Sequence, residues 1–253
     1  MTTRMSRALT GATALVLIAA SLGCGLIQGA KNLVDTAGVL SNFADRLGKA
    51  ATLTYTAEYK VSGQDAKGKA KEEPTVKLVQ QPPNAAFITD EGRFIFTSGF
   101  TYLCSTDKGT MTCQKTPNQS ADVTAADAGL ISGVAGPFFV TPEIALGLIA
   151  AAAFVPGAKV TQTDKTIGGQ KSLCAEVTSL ENAGSTPGDK EALHDFSVCV
   201  TEEGVLASFS GSLQNGESAK VELVSFSADA DKAAFAPPKG AKIVETGATP
   251  QPS

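Results

Sequence analysis

The chain has 253 residues, 43% of them apolar, with a net charge of −4, a single histidine (His194) and no tryptophan. Such a composition can bury a sizeable core, whereas an acidic chain without basic clusters is a poor partner for nucleic acid. One histidine also removes most histidine-based catalysis and metal chemistry.

The amino terminus has the order of an export signal. Arg4 and Arg7 precede an uncharged run from Ala8 to Leu22, which meets small residues at Gly23, Cys24 and Gly25. A cysteine at that junction is the acceptor position of a bacterial lipoprotein, so Cys24 is the expected lipidation site. Residues 1–23 are then a signal peptide, and acyl chains on Cys24 tether the mature chain to a membrane outside the cytoplasm. The run is shorter than the ~20 residues of a membrane-spanning helix. Ser21, with Leu22 after it, stands where such signals most often carry leucine. Ordinary cleavage near Ala20 and an uncleaved anchor are the alternatives. Cleavage before Cys24 removes two of the 21 basic residues and none of the 25 acidic ones, which leaves a charge of −6. About 230 mature residues suit one large domain, taken here as 24–246, with 247–253 as a loose tail.

After Cys24, apolar residues recur at intervals of three and four from Leu26 to Leu47, interrupted by Gly25, Gly29 and Gly38, and predict a helix over Lys31–Lys49. Leu53, Tyr55, Ala57, Tyr59 and Val61 then alternate with polar residues as a half-buried strand does. Polar Ser62–Glu73 reads as a loop. Short strands are expected at Val76–Gln80, Ala85–Thr89, Arg93–Ser98, Tyr102–Thr106 and Met111–Lys115, punctuated by Pro82, Pro83, Gly92 and Gly99. From Val123 to Gly157 the chain reads as helical and nearly uncharged. Thr141, Pro142 and Glu143 place a capping hydroxyl, a first-turn proline and a first-turn acid in the preferred order. They open a helix expected to run through Phe154, about 20 Å long and too short to cross a bilayer. That helix is apolar all round, so protein or an apolar ligand must cover it. Strands resume at Lys159–Ile167, Lys171–Ser179, His194–Val200, Leu206–Ser212 and Lys220–Ser227, with a surface loop over Glu181–Lys190. A short helix near Asp229–Phe235 and a last strand at Lys242–Glu245 close the domain.

Besides Cys24 there are four cysteines, an even number for an oxidising compartment, so two disulfides are expected. Three pairings are possible, and local sequence selects between them. A two-residue Lys108-Gly109 turn places Cys104 opposite Cys113 across a hairpin. If Cys174 faces Cys199, then Ala175 faces Val198 and Val177 faces Phe196, so one register satisfies both the bridge and the burial of an apolar face. The cysteine spacings match no zinc pattern, so neither a metal site nor a cofactor is expected.

Several elements together resemble the LolA-like lipoprotein carriers and the actinobacterial LppX/LprG lipoproteins. They are the lipobox-like Cys24, the helix running into Tyr55–Tyr59, the Gln80-Gln81-Pro82-Pro83-Asn84 break, and the closure from Phe235 to Gly240 and Ala241. The resemblance covers most of the mature chain. It implies an α+β fold: a strongly curved antiparallel half-barrel whose concave face is covered by helices, enclosing an apolar cavity for acyl chains. The disulfides are not a family requirement.

A helix rich in small residues such as Ala150–Ala153 over an apolar sheet face gives an independent reason to expect a cavity. Tyr55, Tyr59, Leu78, Phe87, Phe96, Phe196 and Phe209 are the candidate lining, with Leu130, Phe138, Ile144 and Leu148 as its lid. The competing reading is that these residues close a dry core. The first functional expectation is a non-catalytic envelope lipoprotein that binds or carries a lipid or acylated ligand. The alternative is a signalling or scaffold lipoprotein whose surface, with Phe138 and Phe139 as a patch, binds an envelope protein. Catalysis is the weakest option. His194 and Asp195 are neighbours on a strand and point to opposite faces, and no nucleophile-elbow, metalloprotease or phosphate-loop motif occurs.

Overall fold

Twelve strands make one sheet in the computed structural model, which describes residues 23–107, 109–118, 142–180 and 193–245, with the side chains of 23–35, 71–74, 107 and 142–143 left out. The strands are β1 (Tyr55–Gln64), β2 (Ala70–Gln81), β3 (Asn84–Ile88), β4 (Gly92–Phe96), β5 (Phe100–Asp107) and β6 (Thr110–Pro117). After the second helix come β7 (Lys159–Ile167), β8 (Gln170–Thr178), β9 (Leu193–Thr201), β10 (Leu206–Leu213), β11 (Ser218–Ser227) and β12 (Lys242–Glu245). Their order across the sheet is β12-β6-β5-β4-β3-β2-β1-β11-β10-β9-β8-β7. All neighbours are antiparallel except β12, which lies parallel to β6. Helices α1 (Gly23–Ala50) and α2 (Pro142–Ala152) complete an α+β architecture.

The period of two along each strand decides which face is buried. Tyr55, Ala57, Tyr59 and Val61 of β1 share a face with Val76 and Leu78 of β2, Phe87 of β3, and Phe94 and Phe96 of β4. On the other half, Val221, Phe209, Val198 and Ala175 continue the row that starts at Val61. These side chains form one cluster with the buried stripe of α1 (Val39, Phe43 and Leu47) and with Ala145, Ile149 and Ala152 of α2. The opposite face is apolar only in patches. Val79, Ala86 and Ile95 are covered there by Ala234, from a 3-10 helix at Lys232–Phe235 in the segment joining β11 to β12.

Both expected disulfides are formed, Cys104 to Cys113 and Cys174 to Cys199. Cys174 pairs with Cys199, Ala175 with Val198 and Val177 with Phe196, as the alternation requires. Asp107 pairs with Thr110, so the first bridge spans a hairpin turned at residues 108 and 109, and Gly109 adopts the left-handed backbone such a turn needs (φ 79°). By loop entropy each bridge contributes about 3 kcal/mol.

Three expectations about element bounds are corrected. The first concerns Ser62–Glu73, which is not a loop: β1 runs on to Gln64 and β2 starts at Ala70. Only Asp65–Lys69 turns, with the Asp65 carboxylate accepting from the amides of Lys67 and Lys69. This hairpin arm runs past Val61, the last β1 residue in the apolar cluster, so no hydrophobic alternation marks it. The second concerns α1, which begins at Gly23 rather than Lys31 and so includes Cys24. The third concerns α2, which stops at Ala152 rather than Phe154. The amides of Ala153, Phe154 and Val155 donate to the carbonyls of Ala150, Ala151 and Ala152, a tightened last turn before Pro156 and Gly157. Expectations for residues 1–22, 123–141, 181–190 and 247–253 fall outside the described residues.

The sheet curls strongly. In a flat sheet β7 and β11, four places apart, would be about 19 Å from each other. Instead the β7–β8 turn reaches β11, where a Cβ on Gly168 would come within 2.7 Å of the Leu223 carbonyl oxygen. The helices lie on the face that this curl makes concave. Helix α1 packs on β7, β9 and α2, and α2 packs on β7 and β8.

The carboxyl end of α1 is fixed on the β9–β10 turn. Arg46 Nη1 donates to the Val200 carbonyl at 3.3 Å, and Gln80 Nε2 donates to the carbonyls of Ala50 at 2.6 Å and Leu53 at 3.2 Å. Gly204, at φ 90°, lies so close that an added Cβ would sit 1.9 Å from the Arg46 carbonyl oxygen. Gly204→Ala is therefore expected to cost about 1–2 kcal/mol for its left-handed backbone, plus the displacement of α1. Gly169→Ala serves as the control, because φ is 76° there with nothing within 4 Å. Chemical denaturation of the two variants separates the contributions, and equal losses would show that α1 does not depend on this contact.

Candidate functional site

The candidate site is the interface between the concave face and the two helices. Seven of the proposed lining residues meet there: Tyr55, Tyr59, Leu78, Phe87, Phe96, Phe196 and Phe209 are all buried and belong to one cluster. The Phe196 and Phe209 rings stack with centroids 6.4 Å apart, and Tyr55 stacks on Phe226 at 6.0 Å. Of the proposed lid, Leu148 is partly buried against this cluster, whereas Ile144 is 40% exposed and does not belong to it. Leu130 and Phe138 lie outside the described residues.

The helices offer different surfaces to the sheet. Helix α1 contributes bulky Val39, Phe43 and Leu47, and α2 contributes Ala145, Ile149 and Ala152. Two of its three fully buried positions are alanine, with Leu146 and Leu148 partly buried beside them, and the strands it packs on, β7 and β8, present Val160, Leu173, Ala175 and Val177. Its outward side is apolar too. Ile144, Gly147 and Ala151 are exposed along one stripe, which continues beyond the helix to Phe154, 73% exposed.

Two polar clefts lie elsewhere. One, of about 490 Å³, includes Ser62, Ser210, Ser212 and Lys220. Ser62, Lys220 and Ser210 pair in register one residue along from Val61, Val221 and Phe209, so they face away from the apolar cluster. The other, of about 320 Å³, lies beside the end of α1 and includes Arg46, Asp164, Lys171 and Glu202. Sequence reading missed both, because each draws on strands distant in the chain and no periodicity marks a polar hollow. It also missed Gln162 on β7, which accepts a hydrogen bond from Asn42 Nδ2 at 3.0 Å and fixes α1 along that strand.

His194 and Asp195 are adjacent on β9, where successive side chains alternate between faces. Among the described residues no group of three histidine, cysteine, aspartate or glutamate side chains is placed to hold a metal ion. Among them, too, no helix is long and apolar enough to cross a membrane.

No family model matches the sequence, and no curated protein matches it. Among solved structures, the fold is similar to that of the lipoprotein LppX of Mycobacterium tuberculosis, at 12% identity and a TM-score of 0.38, over 74% of this chain and 93% of that one. It is similar to LprF of Mycobacterium bovis at 11% identity and a TM-score of 0.38, over 77% and 95% of the two chains. A DUF1329 family protein of Desulfovibrio piger is similar at 8% identity and a TM-score of 0.31, over 79% and 96%. These similarities describe the course of the backbone, and the functional reading below rests on this chain's own residues.

The two tyrosines report on how dry the interface is. Burial pushes the Tyr55 hydroxyl well above its ordinary value of 10.0. Burial does the same to Tyr59, with the proximity of Tyr55 adding to it. In the unfolded chain both ionise near pH 10, and in the folded chain they stay protonated. Their contribution is thus intact below pH 10, and stability falls as pH rises above it. Two of the three tyrosines are therefore expected to develop phenolate absorbance only together with alkaline unfolding. Ionisation of both before the fold is lost would show that water reaches them.

Proposed function

We infer that this chain is a non-catalytic, membrane-anchored lipoprotein of the bacterial envelope, acylated on Cys24, which binds a lipid or acylated ligand between its concave sheet face and its helices. One observation carries this reading: a continuous apolar surface reaches from Phe96 on β4 to Ala175 on β8, and at its β7–β8 side α2 covers it with Ala145 and Ala152 beside Ile149, Leu146 and Leu148. Alanines in the helix that covers an apolar face leave room that an apolar chain can take. Buried Tyr55 and Tyr59 add two hydroxyls to a surface otherwise made of carbon, which suits one polar group at the edge of an apolar ligand. Cys24 stands at the start of α1, so acyl chains there would tether the domain through that helix. Residues 24–246 are read as a single binding domain.

Two measurements test this reading. Solvent extraction of the chain purified from bacterial membranes, followed by mass spectrometry, is expected to release a lipid and to leave an acylated amino-terminal Cys24. Ala145→Leu then separates a roomy interface from a filled one. In a solid core an enlarged side chain costs about 1–3 kcal/mol. In an interface that holds a ligand, the variant keeps its stability in the lipid-free form and retains less extracted lipid. Loss of stability with no lipid in either protein would defeat the proposal.

A further inference from the structure

We propose that the turn at Phe154 and the exposed stripe of α2 are a membrane-docking face, which sets the chain on a lipid bilayer with this end of the sheet downward.

The placement follows from the topology. The β9–β10 turn, where Gly204 meets Arg46, marks one end of the sheet. Strand β9 runs towards that end, β8 away from it and β7 towards it again, so β7 begins at the other end, where Lys159 pairs with Thr178. The segment carrying Phe154 leads directly into Lys159 and therefore lies at that far end. Helix α1 runs in the same direction as β7. Asn42 bonds Gln162, while Arg46, one turn later, shares a cleft with Asp164 and Thr166. From Asn42 back to Gly23 is nineteen residues of helix, about 28 Å. From Gln162 back to Lys159 is three residues of strand, about 10 Å. The amino-terminal part of α1 thus extends roughly 18 Å past the sheet at the end where Phe154 is displayed.

That projecting helix ends on Cys24, and the uncharged run Ala8–Leu22 comes immediately before it. On the anchored reading above, this is where the chain enters a bilayer, through that run or through the acyl chains on Cys24 that replace it. The tether therefore leaves the protein at the end where Phe154 is 73% exposed, and with the projecting arm laid along the bilayer surface this face meets lipid rather than a protein partner. Phe154 is also held firmly enough to act as a wedge. Its amide donates to the Ala151 carbonyl at 3.1 Å, and its neighbours Ala153 and Val155 pack into the protein. Along α2 the stripe offers Ala151 and Gly147, and the one charged residue of the helix, Glu143, is in its first turn, about three turns from Phe154. An apolar surface of this kind lowers its free energy by entering the boundary between headgroups and acyl chains. The face is continuous, through Leu148 and Val155, with the cluster between sheet and helices, so docking would bring the bilayer to the edge of the proposed ligand site.

Because the chain has no tryptophan, Phe154→Trp creates a single reporter and keeps an aromatic side chain, somewhat larger and with one N–H donor, at the exposed position. The control is Phe100→Trp. Phe100 opens β5 at the opposite end of the sheet and is 36% exposed. Each full-length variant is purified from membranes and reconstituted into vesicles of phosphatidylethanolamine and phosphatidylglycerol brominated in their acyl chains. The expected result is a blue-shifted, several-fold more strongly quenched emission from Phe154→Trp than from Phe100→Trp. Equal quenching at the two positions, weak or strong, would overturn the docking face. The inference rests on the membrane-anchored reading above, and the outcomes are separable. A chain that yields extractable lipid but quenches equally loses the docking face and keeps the ligand, whereas selective quenching without extractable lipid does the reverse.

Discussion

Everything in this molecule follows from a sheet that is apolar on one face over most of its width. Alternation along the strands sends Tyr59, Val61, Leu78, Phe87, Phe94, Phe196, Phe209 and Val221 to the same side. Exposed to water, that surface would cost about 25 cal/mol for each Å², far more than a marginally stable domain can bear. The sheet therefore has to bend around its own apolar face and accept a cover. The reach of Gly168 to Leu223 shows how tightly it bends on the side of β7 to β11.

The cover is asymmetric, and the asymmetry has functional meaning. Helix α1 is amphipathic in the ordinary way, with Val39, Phe43 and Leu47 inward and an exposed polar side at Ser41, Asn42 and Asp45. Hydrogen bonds from Arg46 and Asn42 lock it along the sheet, and Gln80 closes its end. Beyond Glu143 in its first turn, helix α2 has no polar residue. A helix of that kind is stable when both its surfaces are kept from water, yet the sheet and α1 take only one of them. The proposals for a ligand on the inner side and a bilayer on the outer side are two consequences of that single fact.

The opposite face of the sheet is built for retention. The bridges Cys104–Cys113 and Cys174–Cys199 each join adjacent strands. The segment after β11 crosses this face, drops Ala234 onto Val79, Ala86 and Ile95, and adds β12 beside β6. Lys115 ties that last strand down, bonding Glu245 at 3.0 Å while lying over the Phe100 ring at 4.0 Å. Curvature, disulfides and crossing segment together leave the concave side free to be defined by the helices.

The sequence determined the strands that have one buried face, because burial writes a period of two into the residues. That is why the Cys174–Cys199 register, the Tyr55–Val61 face and the hairpin at residues 108 and 109 were all legible. It placed the seven proposed lining residues on the buried face for the same reason. Other features belonged to the tertiary structure alone. The long β1–β2 arm is held by backbone pairing beyond the core, which leaves no pattern in its polar side chains. The first turns of α1 contain glycines that propensity alone would reject. The outward direction of Ile144 and Phe154 could not be read from a helix that is apolar all round, since such a helix has no moment to orient it. Only contact with β7, β8 and α1 selects the Ala145–Ile149–Ala152 side as the inner one, because that side meets the apolar face those strands present through Val160, Leu173, Ala175 and Val177.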